Sequence, residues 1–153
     1  MDPSQTEPAA DHRDHGTTRS NEQARWFDTH PVKRTVRAFL GVEAASFFLA
    51  ATVHAGFLIR GYDHREAIIA ESVIGTVLLV GLAMTWLRPR SSFSIAAGVQ
   101  AFALLGTFVG ILTIIVGIGP RTIQDIVYHA VIVLVLMTGL VLAWRSRGTG
   151  ATG

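Results

Sequence analysis

The chain contains no cysteine, which excludes disulfides, iron–sulfur clusters and thiolate chemistry. Charge is also scarce: only 16% of the 153 residues are Asp, Glu, Lys or Arg, and the formal net charge is +2. The basic residues stand at the ends of apolar runs instead of forming a patch or stripe, so no nucleic-acid partner is expected. No apolar run follows a basic start near Met1, so the first residues do not read as a signal peptide.

What the chain has in abundance is apolar length. Half of its residues are hydrophobic, and they gather into four runs at 38–59, 67–87, 93–119 and 123–144. At a rise of about 1.5 Å per residue, each run crosses a hydrocarbon core of about 30 Å. No run carries the polar face that a soluble amphipathic helix needs. In lipid each backbone N–H and C=O must be paired within its own segment, so the runs are predicted to be helices. The expected fold is all-α: an integral membrane four-helix bundle over residues 33–147, in direct contact with the lipid bilayer. A polar tail at 1–32, expected to be disordered, precedes it, and a short flexible tail at 148–153 follows. His12 and His15 in the first tail form a HxxH that could hold a metal loosely. A solvated segment is the simpler reading, because ordering it for two ligands costs entropy.

Orientation follows from the cations. Lys33, Arg34, Arg37, Arg88, Arg90, Arg145 and Arg147 lie on one side, and Arg60, Arg65 and Arg121 on the other. This imbalance predicts a multi-pass protein of the cell membrane with both termini cytoplasmic. Trp86 and Trp144 then sit at the cytoplasmic interface. A shift of 58 residues lays the fourth run on the second, pairing Gly81 with Gly139 and Trp86 with Trp144. A shift of 57 lays GVEA (41–44) on GVQA (98–101). The pattern predicts two duplicated hairpins related as parallel repeats. Gly106 and Gly110 form a GxxxG, which lets helix backbones approach closely in lipid.

Against this apolar background three ionisable residues fall at one depth. His54 lies six residues before Arg60, Glu71 six after Arg65 and His129 eight after Arg121. Helix rise places all three roughly 9–12 Å below the outer loops. Each would cost about 2.5 kcal/mol or more facing lipid near the bilayer centre, so all three should point inward. Two imidazoles and a carboxylate make a plausible ligand set for a divalent metal ion such as zinc, iron or manganese. Asp125, one turn before His129, and Tyr128 would stand behind those ligands. A haem held by His54 and His129 is a weaker fit, because Glu71 would then have no task. The bland alternative is a His–Glu–His cluster that glues helices together. Such bonds are worth only about 0.6 kcal/mol each in membrane proteins.

Glu43 and Gln100, mates under the 57-residue shift, form a second polar pair nearer the cytoplasm. They read either as a hydrogen bond across the bundle or as part of a proton relay. His54 is eleven residues from Glu43 on the same helix face, about 16 Å away by helix rise. Ser46, Thr52 or water would have to bridge the gap. Thr122 and Asp125 are spaced as a helix N-cap and its reciprocal partner, which gives Asp125 a structural task of its own.

The chain lacks the paired cysteines expected of quinone-linked thiol oxidases and the four in-register histidines of two-haem bundles. Its residues therefore predict a small polytopic protein with an outer-leaflet His/Glu site that binds a divalent metal. Two other readings remain: a proton-coupled carrier or permeation element acting as a homodimer, and a non-catalytic subunit of a larger membrane complex, with the polar cluster as glue between helices.

Overall fold

The computed structural model describes residues 15–59, 63–119 and 121–148. His12 of the HxxH pair, Arg60 of the α1–α2 loop, Pro120 and residues 149–153 lie outside them. The chain divides into two units, Met1–Pro31 and Val32–Gly153. Helix α1 spans His15–His54, α2 Arg65–Leu87, α3 Ser92–Val116 and α4 Ile123–Gly148, with a 3-10 turn at Pro89–Ser91 before α3. The N-terminal part of α1 thus occupies residues 15–32, where composition predicts disorder. Average polarity hides the strong helix formers Glu22, Gln23, Ala24 and Arg25 in that stretch. Pro31, inside α1, marks the boundary between the two units.

Among the described residues, four helical stretches are long and apolar enough to cross a membrane: Pro31–His54, Arg65–Leu87, Pro89–Val116 and Ile123–Arg147. Their surfaces are those of a membrane protein. Leu49, Leu79, Leu105, Leu112 and Leu134 are all more than half exposed, whereas Glu43 and Gln100 have no exposure at all. A soluble bundle would reverse that distribution. The buried apolar core is slim: Val36, Leu40, Ala44 and Phe47 of α1 pack with Ile74 and Leu78 of α2, Ala96 and Ala103 of α3, and Ile132 and Leu136 of α4.

The turns have local causes. The α1–α2 loop folds back on itself: the His64 amide donates to the His54 carbonyl at 3.0 Å, and Ala55 bridges Asp63. Gly117 closes α3 at φ 87°, a left-handed conformation that a side chain would disfavour. Arg121 reaches back to the last α3 carbonyls, with Nε on Ile114 and Nη2 on Ile115, both at 2.9 Å. At the other end of the bundle Arg37 binds Thr85 through Nε (3.1 Å to Oγ1) and Nη2 (2.7 Å to the carbonyl), and lies 5.5 Å from the Trp86 ring. Arg147 sits 4.7 Å from the Trp144 ring and donates to Ser94 at 3.2 Å. Both contacts join a cation to an indole, the pairing favoured at a membrane interface.

Small residues bring the helices together. A Cβ at Gly106 would stand 2.8 Å from Ile74 of α2, and one at Gly81 only 2.6 Å from Val99 of α3. The Gly81 contact is with a branched side chain that has no flexible end to move. Gly81→Val is therefore expected to cost about 1–3 kcal/mol by overpacking, while the lipid-facing Leu134→Ala stays near neutral. Denaturant unfolding in detergent, followed by circular dichroism, measures both. Equal midpoints for the two variants would contradict the α2–α3 packing.

Candidate functional site

α1 ends at His54, and its side chain turns into the bundle with 3% of its surface exposed. Two carboxylates meet it there. Nδ1 lies 2.8 Å from Glu71 Oε2 of α2, and Nε2 lies 3.2 Å from Asp125 Oδ1 of α4. Glu71 and Asp125 are themselves buried. Each N···O contact requires one proton between its two atoms. The three side chains so joined hold two protons and one net negative charge. A third proton would make the group neutral, and hydrocarbon favours the neutral state over the charged one.

Asp125 serves two partners through different oxygens. Oδ1 meets His54, while Oδ2 accepts from the Thr122 hydroxyl at 2.5 Å and the Thr122 amide at 3.2 Å. The Asp125 amide closes the reciprocal cap on the Thr122 hydroxyl at 3.3 Å. The capping task therefore fixes the carboxylate in place for His54. The spacing reading puts His129 against His54 with Asp125 behind it, and the structure arranges them differently. Asp125 contacts His54 directly, and His129 Nδ1 lies 2.7 Å from the Asp125 carbonyl. A carbonyl only accepts, so Nδ1 carries the hydrogen and a neutral His129 presents Nε2 as an acceptor. Gly110 leaves room for that nitrogen, since a Cβ there would stand 3.2 Å from it.

His54, Glu71 and His129 all line a cavity of about 230 Å³ whose walls are otherwise largely apolar. Its polar rim includes His64 and Glu66. His64 lies edge-on to His54, with ring centroids 6.1 Å apart. A second cleft of about 500 Å³ reaches His54, Asp125 and Tyr128 from the side of Ser46 and Gln124. Among the described residues, no group of three or more His, Cys, Asp or Glu side chains has the geometry to hold a metal ion. Both His54 nitrogens face carboxylates, so neither a metal nor a haem iron could bind there without displacing one of them.

Further into the bundle Gln100 Nε2 donates to both Glu43 oxygens, at 3.0 and 3.1 Å. Gln100 Oε1 is buried without a hydrogen bond. Gly139 makes the pair fit, because a Cβ there would overlap the Gln100 amide nitrogen. Between this pair and His54 the Ser46 hydroxyl donates to the Tyr128 hydroxyl at 3.4 Å. Thr52 turns outward and donates to the Leu49 carbonyl. Of the two bridging candidates on α1, Ser46 faces the interior. Sequence spacing gives no sign of the Ser46–Tyr128 contact, which joins residues 82 apart in the chain.

No family model, curated protein or solved structure matches this chain. The geometry therefore stands on its own energetics. A double-mutant cycle over His54→Leu and Glu71→Leu is expected to give a coupling of about 1.5–3 kcal/mol, the range for hydrogen bonds to charged groups. Ordinary polar contacts between membrane helices average about 0.6 kcal/mol. Reversible unfolding in mixed micelles measures the coupling, and a value indistinguishable from zero would show that the two side chains do not meet.

Proposed function

We propose that this chain is a proton-binding carrier or permeation element of the cell membrane, with His54, Glu71 and Asp125 as its outer titrating centre. One observation carries the reading: a buried imidazole has a carboxylate on each ring nitrogen. Such a group alternates between one negative charge and neutrality by taking up a single proton. It can do so without moving far, because its members already share their hydrogens.

The Ser46–Tyr128 contact and the Glu43–Gln100 pair support the same reading. They lie along the route from His54 toward the other end of α1 and are the polar stations of an inward path. In this reading both termini are cytoplasmic and the four helices are two duplicated hairpins. Glu43 and Gln100, mates under the repeat, bond to each other as residues beside a pseudo-two-fold axis would. Four helices give little room for alternating access, so the carrier acts as a homodimer.

Divalent-metal binding by His54, Glu71 and His129 is the second reading. It is favoured by their sharing one cavity, and it requires His54 to release a carboxylate. Proteoliposomes loaded with a pH-sensitive dye separate the two. Proton flux driven by a pH step is expected to fall at least tenfold in Glu71→Gln and Asp125→Asn, and several-fold in Glu43→Gln. Flux indifferent to all three substitutions would defeat the carrier reading. Stoichiometric zinc, iron or manganese in the purified protein, lost in His54→Ala and His129→Ala, would establish the metal reading instead.

A further inference from the structure

Two polar atoms at the outer cavity lack a hydrogen, and they restrict what can occupy it; the Tyr128 hydroxyl, which accepts from Ser46, keeps its own hydrogen beside them. Glu71 makes its hydrogen bond through Oε2, and Oε1 has no partner among the described residues although the side chain is buried. His129 has spent its N–H on the Asp125 carbonyl and offers Nε2, an acceptor. On α3, the Thr107 and Thr113 hydroxyls line the cavity but already donate to the carbonyls of Ala103 and Gly110, at 2.8 and 2.7 Å. The cavity thus presents a carboxylate oxygen and an imidazole nitrogen, both in need of hydrogens.

The remaining walls are apolar and aromatic. Phe47 and Tyr128 stand edge to face with their centroids 6.4 Å apart, a surface that favours a cation. At about 230 Å³ the space is smaller than the roughly 300–1,000 Å³ of drug-sized sites, so the occupant is small. Titratable groups around it come from every side except α3: His54 from α1, His64 from the loop, Glu66 and Glu71 from α2, and Tyr128 and His129 from α4. Asp125 stands behind His54. The carboxylates among these give a negative bias, and no lysine or arginine lines the cavity among the described residues.

We propose that this cavity binds a small apolar ammonium ion: a protonated primary or secondary amine on an aryl or short alkyl body. Its N–H groups donate to Glu71 Oε1 and His129 Nε2, and its body rests on the Phe47–Tyr128 wall. The assignment deepens the carrier reading and rests on it for one point only. The amine's charge and the third proton compete for the same negative centre, so binding one releases the other.

The full chain in lipid nanodiscs is titrated calorimetrically with three probes of similar shape: 2-phenylethylammonium, 2-phenylethanol and trimethyl(2-phenylethyl)ammonium. Empty nanodiscs supply the background. The primary ammonium is expected to bind at least tenfold tighter than the alcohol, which lacks the charge, and than the quaternary ion, which lacks the N–H groups. Glu71→Gln should remove that preference. Ile114→Phe, which adds bulk to the cavity wall and replaces no ionisable side chain, should abolish binding while leaving proton flux in place. Affinities within threefold for all three probes, or a preference that survives both substitutions, would overturn the assignment. Flux that depends on Glu71 without discrimination among the probes leaves the carrier and removes the amine. Discrimination without flux keeps the cavity assignment and removes the carrier.

Discussion

An imidazole, a glutamate and an aspartate facing hydrocarbon separately would each cost about 2.5 kcal/mol or more. Joined through His54, they satisfy one another inside the bundle. The rest of this half of the bundle is built to allow that meeting. α1 ends at the residue that must reach both neighbours. The Thr122 cap holds Asp125 at the start of α4, where its other oxygen meets the ring. Glu71 lies two turns into α2, at the matching depth. If any of these elements moved by one helical turn, a charge would be stranded in lipid.

The same constraint orders the other half of the bundle through a hydrogen-bonded pair. Glu43 and Gln100 share one hydrogen-bond donor, and Gly139 gives them the space to approach. The orphaned Gln100 oxygen is the natural acceptor for a hydrogen carried on Glu43, and an amide rotation would exchange one arrangement for the other. Ser46 and Tyr128 stand between the two halves. Among the described residues the His54 centre, the Ser46–Tyr128 contact and the Glu43–Gln100 pair stand at successive depths of the interior.

Much of this was legible in the chain itself, and the parts that were not share a cause. Four charge-poor runs located the four membrane-length helices, although α1 stops at His54, short of the end of its run at 59, and α3 at Val116, short of 119. Depth counting brought His54 and Glu71 to one level, and in the structure they touch. The count is blind to rotation about the helix axis. Asp125 and His129 are one turn apart on the same face, and depth alone could not tell which would reach His54. The signal was the Thr122–Asp125 cap, which pins Asp125 and leaves His129 to bond its carbonyl. α1 begins at His15, within the stretch whose average polarity reads as a solvated tail.

The central claim is that both ring nitrogens of His54 are held by carboxylates inside the bundle. Solid-state nitrogen NMR of histidine-labelled protein in bilayers, with His54 identified by its loss in His54→Gln, tests it directly. The account predicts two strongly hydrogen-bonded ring nitrogens that respond separately, one to Glu71→Gln and the other to Asp125→Asn. A spectrum with one nitrogen free of any hydrogen bond, unchanged by either substitution, would contradict it.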